Sequence, residues 1–264
     1  PNMPYRTLQD KRAVVTGASS GIGWHLAQQL AAEGASVIAC ARRADLLDDL
    51  SNKIQSQGGI CIPLVGDITS EANRQEIMDV ADQEFGGLDI LINNAGIGAM
   101  GRFDESAETR IRQVFEINFF AIAEMIRISL PRLKQGHSPI IVNMSSILGH
   151  RATPLKSEYC ASKFALHGFS DALRAELAND AIDLLLVSPS TTDSEFFDNA
   201  IEDTTGRNWK IRGAMPPATV ASKTIRAMKK GKHEIILTHG GRLIVWMDRL
   251  IPGIANRIMA RYGQ

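Results

Sequence analysis

Short apolar runs alternate along this chain with longer stretches in which apolar residues recur every three or four positions. Ala13-Val14-Val15 leads into a glycine-rich turn, after which residues 22–32 have helical spacing. Apolar runs at 37–40, 60–65, 88–92, 140–144 and 182–187 read as further strands. Helical patterns at 45–57, 70–85, 105–133 (one or two helices) and 157–179 lie between them. Strands this short and this apolar suit a parallel sheet covered on both faces. Right-handed crossovers then make a doubly wound, Rossmann-like α/β sheet the simplest topology. No repeat or long linker interrupts the pattern, so one domain over 1–264 is expected. After Pro189 the pattern loosens. Residues 190–217 read as a substrate loop or lid, followed by a helix at 218–230 and a strand at 234–237. A C-terminal helical segment over 240–264 is broken near Pro252-Gly253.

Composition narrows the function classes. Lys and Arg total 29, as do Asp and Glu, so a broad attraction to nucleic acid is not expected. Cys40, Cys61 and Cys160 form no CxxC pair and are odd in number, which argues against a disulfide framework. The six histidines show no metal-ligand spacing, so no metal is expected. Residues 1–11 lack an apolar run of signal-peptide type, and no stretch approaches the roughly 20 apolar residues of a spanning helix. A cytoplasmic protein is the default expectation.

Two clusters carry chemistry. The first strand runs into Thr16-Gly17-Ala18-Ser19-Ser20-Gly21-Ile22-Gly23. Glycines let the backbone turn sharply and approach a ligand, and the N–H groups opening the next helix suit a pyrophosphate. Gly17, Ser19, Ser20, Gly21, Ile22 and Gly23 are therefore candidate cofactor contacts. In the second cluster, Tyr159 and Lys163 stand four residues apart on a helix and share a face. An ammonium near a phenol lowers its pKa from about 10 and makes proton transfer practical near neutrality.

The glycine spacing TGxxxGxG, the sequence Asn93-Asn94-Ala95-Gly96 and the YxxxK pair resemble the main subfamily of short-chain dehydrogenases/reductases over roughly residues 11–196. The resemblance implies a nicotinamide dinucleotide cofactor and a small-molecule carbonyl or alcohol substrate. It implies that Asn94, Ala95 and Gly96 line the adenosine side and that Asp67 contacts the adenine ring; alternatively, Asp67 caps the helix beginning near Ser70. It assigns Ser146 to the substrate carbonyl oxygen, with neighbouring Ser145 a strand-end hydroxyl. It gives Asn118 a water linking Lys163 to solvent, against the alternative of a buried amide satisfied by backbone. Lys163 and Tyr159 also face the nicotinamide ribose. At Pro189-Ser190 the chain departs from the family's Pro-Gly, leaving Pro189, Thr192 and Ser194 as carboxamide contacts. The resemblance also implies a homodimer or homotetramer.

The second strand ends in Ala41-Arg42-Arg43, where an NAD site usually has an acid for the ribose hydroxyls. A guanidinium pairs bidentately with a 2′-phosphate, so NADP(H) is expected, with Arg42 the better candidate of the two. Other readings stay open: a non-catalytic dinucleotide sensor or scaffold, or an epimerase or dehydratase using the cofactor transiently. Phe196, Phe197, Trp209 and Met215 suggest an apolar pocket wall, although helix packing would explain them equally well. The apolar tail (Leu243 to Met247, Leu250, Ile251, Ile254) closes the pocket, forms a subunit contact or lies on a membrane surface.

Overall fold

The computed structural model describes residues 6–193, 196, 200–201 and 213–262. Among these, seven parallel strands form one sheet in the order β3-β2-β1-β4-β5-β6-β7. They are β1 (Arg12–Thr16), β2 (Ser36–Ala41), β3 (Ile60–Val65), β4 (Ile90–Asn93), β5 (Ile140–Met144), β6 (Asp183–Ser188) and β7 (Glu234–Ile236). The helices are α1 (Gly21–Ala32), α2 (Ala44–Ser56), α3 (Glu71–Phe85), α4 (Glu108–Phe115), α5 (Ala121–Leu133), α6 (Ser157–Leu177), α7 (Pro217–Lys229), α8 (His239–Leu250) and α9 (Pro252–Tyr262). The expected doubly wound sheet is present.

Burial on both faces explains the continuous apolar strands. Successive residues point to opposite sides of the pleat. Ala13 and Val15 of β1 join Ile140 and Val142 of β5 in one core cluster, while Val14 and Ile141 join the other. On α1, Gly23, Leu26, Ala27, Leu30 and Ala31 form the buried stripe, with the three- and four-residue spacing of a sheet-packed helix. The region 105–133 is one helical path with a π turn, Glu116–Phe120, between α4 and α5. The C-terminal break falls at Ile251, between α8 and α9.

Two polar residues inside the sheet are joined in a relay that leaves only Asn93 Oδ1 without a partner. Asn93 and Asn143 sit in register on β4 and β5. Asn93 Nδ2 donates to Asn143 Oδ1 at 2.9 Å, and Asn143 Nδ2 donates to Ser170 Oγ of α6 at 2.9 Å. This buried relay fixes α6 against the strands whose ends carry the site.

Candidate active site

Chain order reverses between β1 and β4, which opens a crevice above the carboxyl ends of the strands. A cavity of about 830 Å³ lies there. Its floor comes from the residues that leave the strands: Gly17, Ala41, Gly66, Asn94, Ser145 and Pro189. Gly17 has φ +66, and a Cβ on Gly23 would lie 2.3 Å from Gly17 O. Both positions therefore require glycine, one for backbone conformation and one for close packing. Ser20 makes no side-chain cap for α1, so the first-turn N–H groups remain available to an anion. Asn94 fixes the turn from across the crevice, its Nδ2 donating to Thr16 O and Gly17 O at 3.0 Å each. Thr16 Oγ1 accepts from the amides of Asn94 and Ala95, both at 3.1 Å. Ser19, Ser20, Gly21, Ile22, Ala95 and Gly96 also line the cavity.

The two arginines after β2 are placed differently. Arg42 is exposed at the rim. Arg43 folds onto the glycine turn: its Nε is 3.2 Å from Ser19 Oγ, and one terminal nitrogen donates to Ser19 Oγ at 3.1 Å and Ser20 Oγ at 2.5 Å. Of the two, Arg43 is the one held by the turn's hydroxyls, while Arg42, the candidate preferred from sequence, lies at the rim. Asp67 lines the cavity, but it does not cap α3. Ser70 does, accepting from Asn73 N, while Asp67 Oδ1 accepts from Thr69 N at 2.9 Å and Thr69 Oγ1 at 2.8 Å. The described lining carries four cations (Arg42, Arg43, Lys156, Lys163) and one carboxylate, Asp67. That excess of positive charge suits a polyanionic ligand.

At the far end, α6 and the end of β5 bring Tyr159, Lys163 and Ser146 together. All three are largely buried and line the cavity. Lys163 Nζ donates to Met144 O at 2.9 Å and lies 5.8 Å from the Tyr159 ring centroid. Ser146 hydrogen-bonds to the Tyr159 phenol and accepts from Leu148 N at 3.1 Å. One lone pair of that oxygen takes the amide, and the hydroxyl proton turns toward the phenol oxygen, the direction that favours the phenolate. The expected lowering of the phenol's pKa is reversed in this arrangement. Burial pushes Tyr159 above its ordinary value, and the Ser146 hydrogen bond offsets only part of that. Burial also brings Lys163 down to about 8.

Asn118 occupies the π turn and is fully buried. Its Nδ2 donates to Ile97 O (3.0 Å) and Ser162 Oγ (3.1 Å), and its Oδ1 accepts from Ile97 N (2.9 Å). Backbone and a neighbouring hydroxyl therefore satisfy this amide, the plainer of the two expected roles. It lies behind the cavity wall rather than in the lining, next to Gly96, where an added Cβ would meet Asn118 Oδ1 at 3.1 Å and Lys163 Nζ at 3.7 Å. Ser145 Oγ is buried without a partner. Thr192 lines the cavity and donates to Ser190 O at 3.2 Å. Ser194, Phe197 and Trp209 lie outside the described residues. Phe196 is a wall residue, its ring 5.7 Å from that of Tyr159 in an edge-on pair. Met215 instead packs against the core below α1 and α7, so helix packing accounts for it. From the tail, Gly241, Ile244 and Met259 enter the lining, which supports pocket closure for that part of it. Leu243, Trp246 and Leu250 are more than three-fifths exposed.

The short chain dehydrogenase family pattern matches residues 11–205. The chain belongs to the short-chain dehydrogenase family. A ketoacyl reductase, HetN, of Nostoc sp. is 29% identical over 97% of this chain and 91% of that protein. Dehydrogenase/reductase SDR family member 7B of Mus musculus is 34% identical over 96% of this chain and 81% of that protein. Among solved structures, a short-chain dehydrogenase/reductase from Burkholderia phymatum in complex with NAD superposes with a TM-score of 0.86 at 24% identity, covering 94% of this chain and 96% of that one. One from Burkholderia cenocepacia in complex with NADP gives 0.77 at 28% identity, covering 87% and 96%. This short-chain dehydrogenase is therefore an oxidoreductase, and none of its described helices is long and apolar enough to cross a membrane.

Three features of this dehydrogenase left no signal in the sequence. Arg110 is fully buried and reaches Glu158, the residue before Tyr159, through Nε at 2.9 Å and a terminal nitrogen at 2.7 Å. It also donates to the carbonyls of Met100 and Arg102. Leu155, in the cavity wall, has φ +63, a left-handed conformation that is strained for a branched residue; its carbonyl accepts from Gly101 N at 2.9 Å. Finally, His150, His167 and Glu234 converge beside β7. Each group joins residues far apart in the chain, so no local spacing announces it.

Proposed function

We propose that this short-chain dehydrogenase is NADP(H)-dependent and interconverts a carbonyl and an alcohol on a small, largely apolar substrate. The observation that carries the reading is the meeting of the Tyr159 phenol, the Ser146 hydroxyl and the Lys163 ammonium in one buried pocket beyond an anion-binding glycine turn. When bound, the nicotinamide supplies or accepts the hydride. Two relatives' structures contain NAD and NADP respectively. The choice of NADP here rests on Ala41 standing in place of an acid and on Arg43 fastened over Ser19 and Ser20. Arg42 adds a second guanidinium at the rim.

Each residue then has a definite task. Tyr159 keeps its proton at neutral pH and gives it to the substrate oxygen in the reductive direction. Burial opposes that release, and the Ser146 hydrogen bond and the Lys163 charge work against the burial. Ser146, oriented by Leu148 N, donates to the same oxygen as negative charge develops there. Lys163, anchored on Met144 O, has donors left for the ribose hydroxyls, and its charge steadies the phenolate that forms. Asn118 holds the 97–98 segment against α6. Ile147, Leu155, Phe196, Ile244 and Met259 exclude water around the reacting carbon.

The test is loss of NADPH absorbance over a panel of ketones, aldehydes and quinones, with NADH alongside. Turnover with at least one apolar carbonyl compound is expected, faster with NADPH. Tyr159→Phe should then lower kcat by about 10³-fold while leaving NADPH affinity nearly intact. A fully active Tyr159→Phe variant would refute the role. The same reading includes a homo-oligomer. Ile111 of α4, Phe120 of the π turn and Phe164 of α6 are large exposed apolar side chains on neighbouring elements. Sedimentation showing a monomer at micromolar concentration would remove it.

A further inference from the structure

Outside the catalytic cavity, at the β7 edge of the sheet, three elements bring a metal-type donor set together. His150 follows the short 3-10 turn Ile147–Gly149 that begins at Ser146. His167 lies one helical turn beyond Lys163 on α6, and Glu234 opens β7. One donor atom from each lies within 4.8 Å of the other two. The imidazole rings are 4.4 Å apart and nearly perpendicular. His150 Nε2 stands 3.0 Å from Glu234 Oε1 and 3.0 Å from Ser188 Oγ.

Burial makes this arrangement unusual for a surface ion pair. The His150 side chain is 2% exposed and that of His167 15%. Nδ1 of each ring is buried without a hydrogen-bond partner. An unsatisfied buried ring nitrogen is costly, and a cation is one way to satisfy His167 Nδ1. On His150 the nitrogen turned to Glu234 and Ser188, and so to the ion, is Nε2. His167 also has an orienting partner: its Nε2 faces Asp171 Oδ2 at 3.3 Å, leaving Nδ1 as the unheld nitrogen. A carboxylate on one imidazole nitrogen with a metal on the other is a recurrent arrangement in zinc sites. Arg174, the nearest cation on α6, directs its donors to Asp171 and to the carbonyls of Leu184 and His233.

We propose that His150, His167 and Glu234 form a binding site for a zinc-class divalent cation, with the Ser188 hydroxyl or a water as fourth ligand. Two imidazoles and a carboxylate are a zinc donor set. Tetrahedral zinc needs donors about 3.3 Å apart, which follows from metal–ligand distances of about 2.0–2.1 Å. Side-chain rotations of under roughly 1 Å close the present cluster to that size. Glu234, about one-third exposed, gives the ion its entry from solvent. The bound cation would tie the turn carrying Ser146, the helix carrying Tyr159 and Lys163, and the edge strand into one unit.

The test uses the full chain, stripped with a chelator and titrated with zinc chloride by calorimetry. One ion per chain is expected, with a higher thermal midpoint in zinc than in chelator. Cobalt(II) in place of zinc should give the visible bands of a tetrahedral ion. His167→Gln and Glu234→Gln should each weaken zinc binding at least about tenfold and abolish the thermal shift. His239→Gln, an exposed histidine outside the cluster, should change neither. Absence of saturable zinc binding to the wild type overturns the proposal. So does zinc affinity unchanged in Glu234→Gln, a substitution at a partly exposed strand position that decides the matter even if His167→Gln fails to fold.

Discussion

The two ends of the cavity are built on different principles. The dinucleotide end is made of backbone and short side chains: Gly17 at positive φ, Gly23 in contact with Gly17 O, and Asn94 bonded to both Thr16 O and Gly17 O. The substrate end is walled by large side chains on late or irregular segments: Leu155, Phe196, Ile244 and Met259. The first leaves almost no geometric freedom, because backbone meets backbone. The second tolerates replacement, because one apolar surface substitutes for another at modest cost. The geometry of the dinucleotide end is therefore fixed by backbone, while that of the substrate end is set by replaceable side chains.

The largest expected effect lies at the joint between the ends. Arg110 ties the carbonyls of Met100 and Arg102 to Glu158, beside Tyr159. Removing one partner of a buried ion pair typically costs about 3–5 kcal/mol, so Arg110→Ala should lose that much stability in chemical denaturation. Arg110→Met with Glu158→Leu should recover most of it. Equal stability of the single variant and the wild type would show that the joint is dispensable.

Gly23→Ala strikes the strict end directly. Its Cβ would sit 2.3 Å from Gly17 O and 2.5 Å from Asn94 Nδ2. A loss of about 1–3 kcal/mol and weakened binding of both NADPH and NADH are expected. If binding by fluorescence titration is unchanged, the turn is softer than described.

Arg43→Ala should weaken NADPH by roughly ten- to a hundredfold, the loss of a charge-assisted contact of about 1.5–3 kcal/mol, and leave NADH nearly untouched. Equal losses for both would argue that Arg43 only braces the turn. Smaller still is Ile244→Ala at the tolerant end. It should raise KM for an apolar ketone a few-fold, as expected for partial loss of apolar contact, with cofactor affinity unchanged. A change in NADPH affinity there would join the two ends energetically.

The pH dependence of stability gives the finest probe. Lys163 is brought down to about 8 in the folded chain, against about 10.4 in an unfolded one. Above about pH 8 the unfolded state holds more protons at this site, so its contribution to stability grows as pH rises toward 10.4. Cys61 and Cys40, pushed up to about 11 and 12, act in the opposite sense above about pH 9. The lysine's share is therefore read between pH 8 and 9, as the difference between wild type and Lys163→Met. A difference that is flat or falls with pH across that interval contradicts the assignment.

Much of the strict end was legible in the sequence because its rules are local. Gly17, Gly21 and Gly23 follow a strand and open a helix. At the far end, only the pair Tyr159 and Lys163 was as local, sharing a face by its four-residue step. The strand boundaries fell within a residue or two because burial on both faces leaves unbroken apolar runs. What escaped depends on which distant partner a side chain meets. The sequence favours Arg42 over Arg43, and only the folded position of the Ser19 and Ser20 hydroxyls points to Arg43 instead. Arg110 carries no signal in the sequence; its role exists only once Glu158, 48 residues away, is folded against it. Asp67 and Ser70 both offer a capping oxygen, and the turn at Thr69 decides between them. The sign of the Tyr159 shift was missed because an ammonium one turn away is visible in sequence, whereas the burial that outweighs it is not.

The π turn at Glu116–Phe120 has an implication for how this chain can vary. A wide turn accommodates one more residue than an α-turn, so the helical faces before and after it are out of phase. Upstream, that phase directs Arg110 inward; at the turn it buries Asn118; downstream it presents Met125 and Ile126 to the sheet. Deleting a single residue within the turn would remove that surplus and let the segment close as ordinary α-helix, with both flanks keeping their orientation. Deleting one within α4 or α5 would instead rotate one side relative to the other by about 100°. Either Arg110 or the apolar stripe of α5 would then swing toward water. A one-residue deletion in either helix should thus be far less tolerated than one at the turn, although the turn's own amide, Asn118, would be displaced from Ile97.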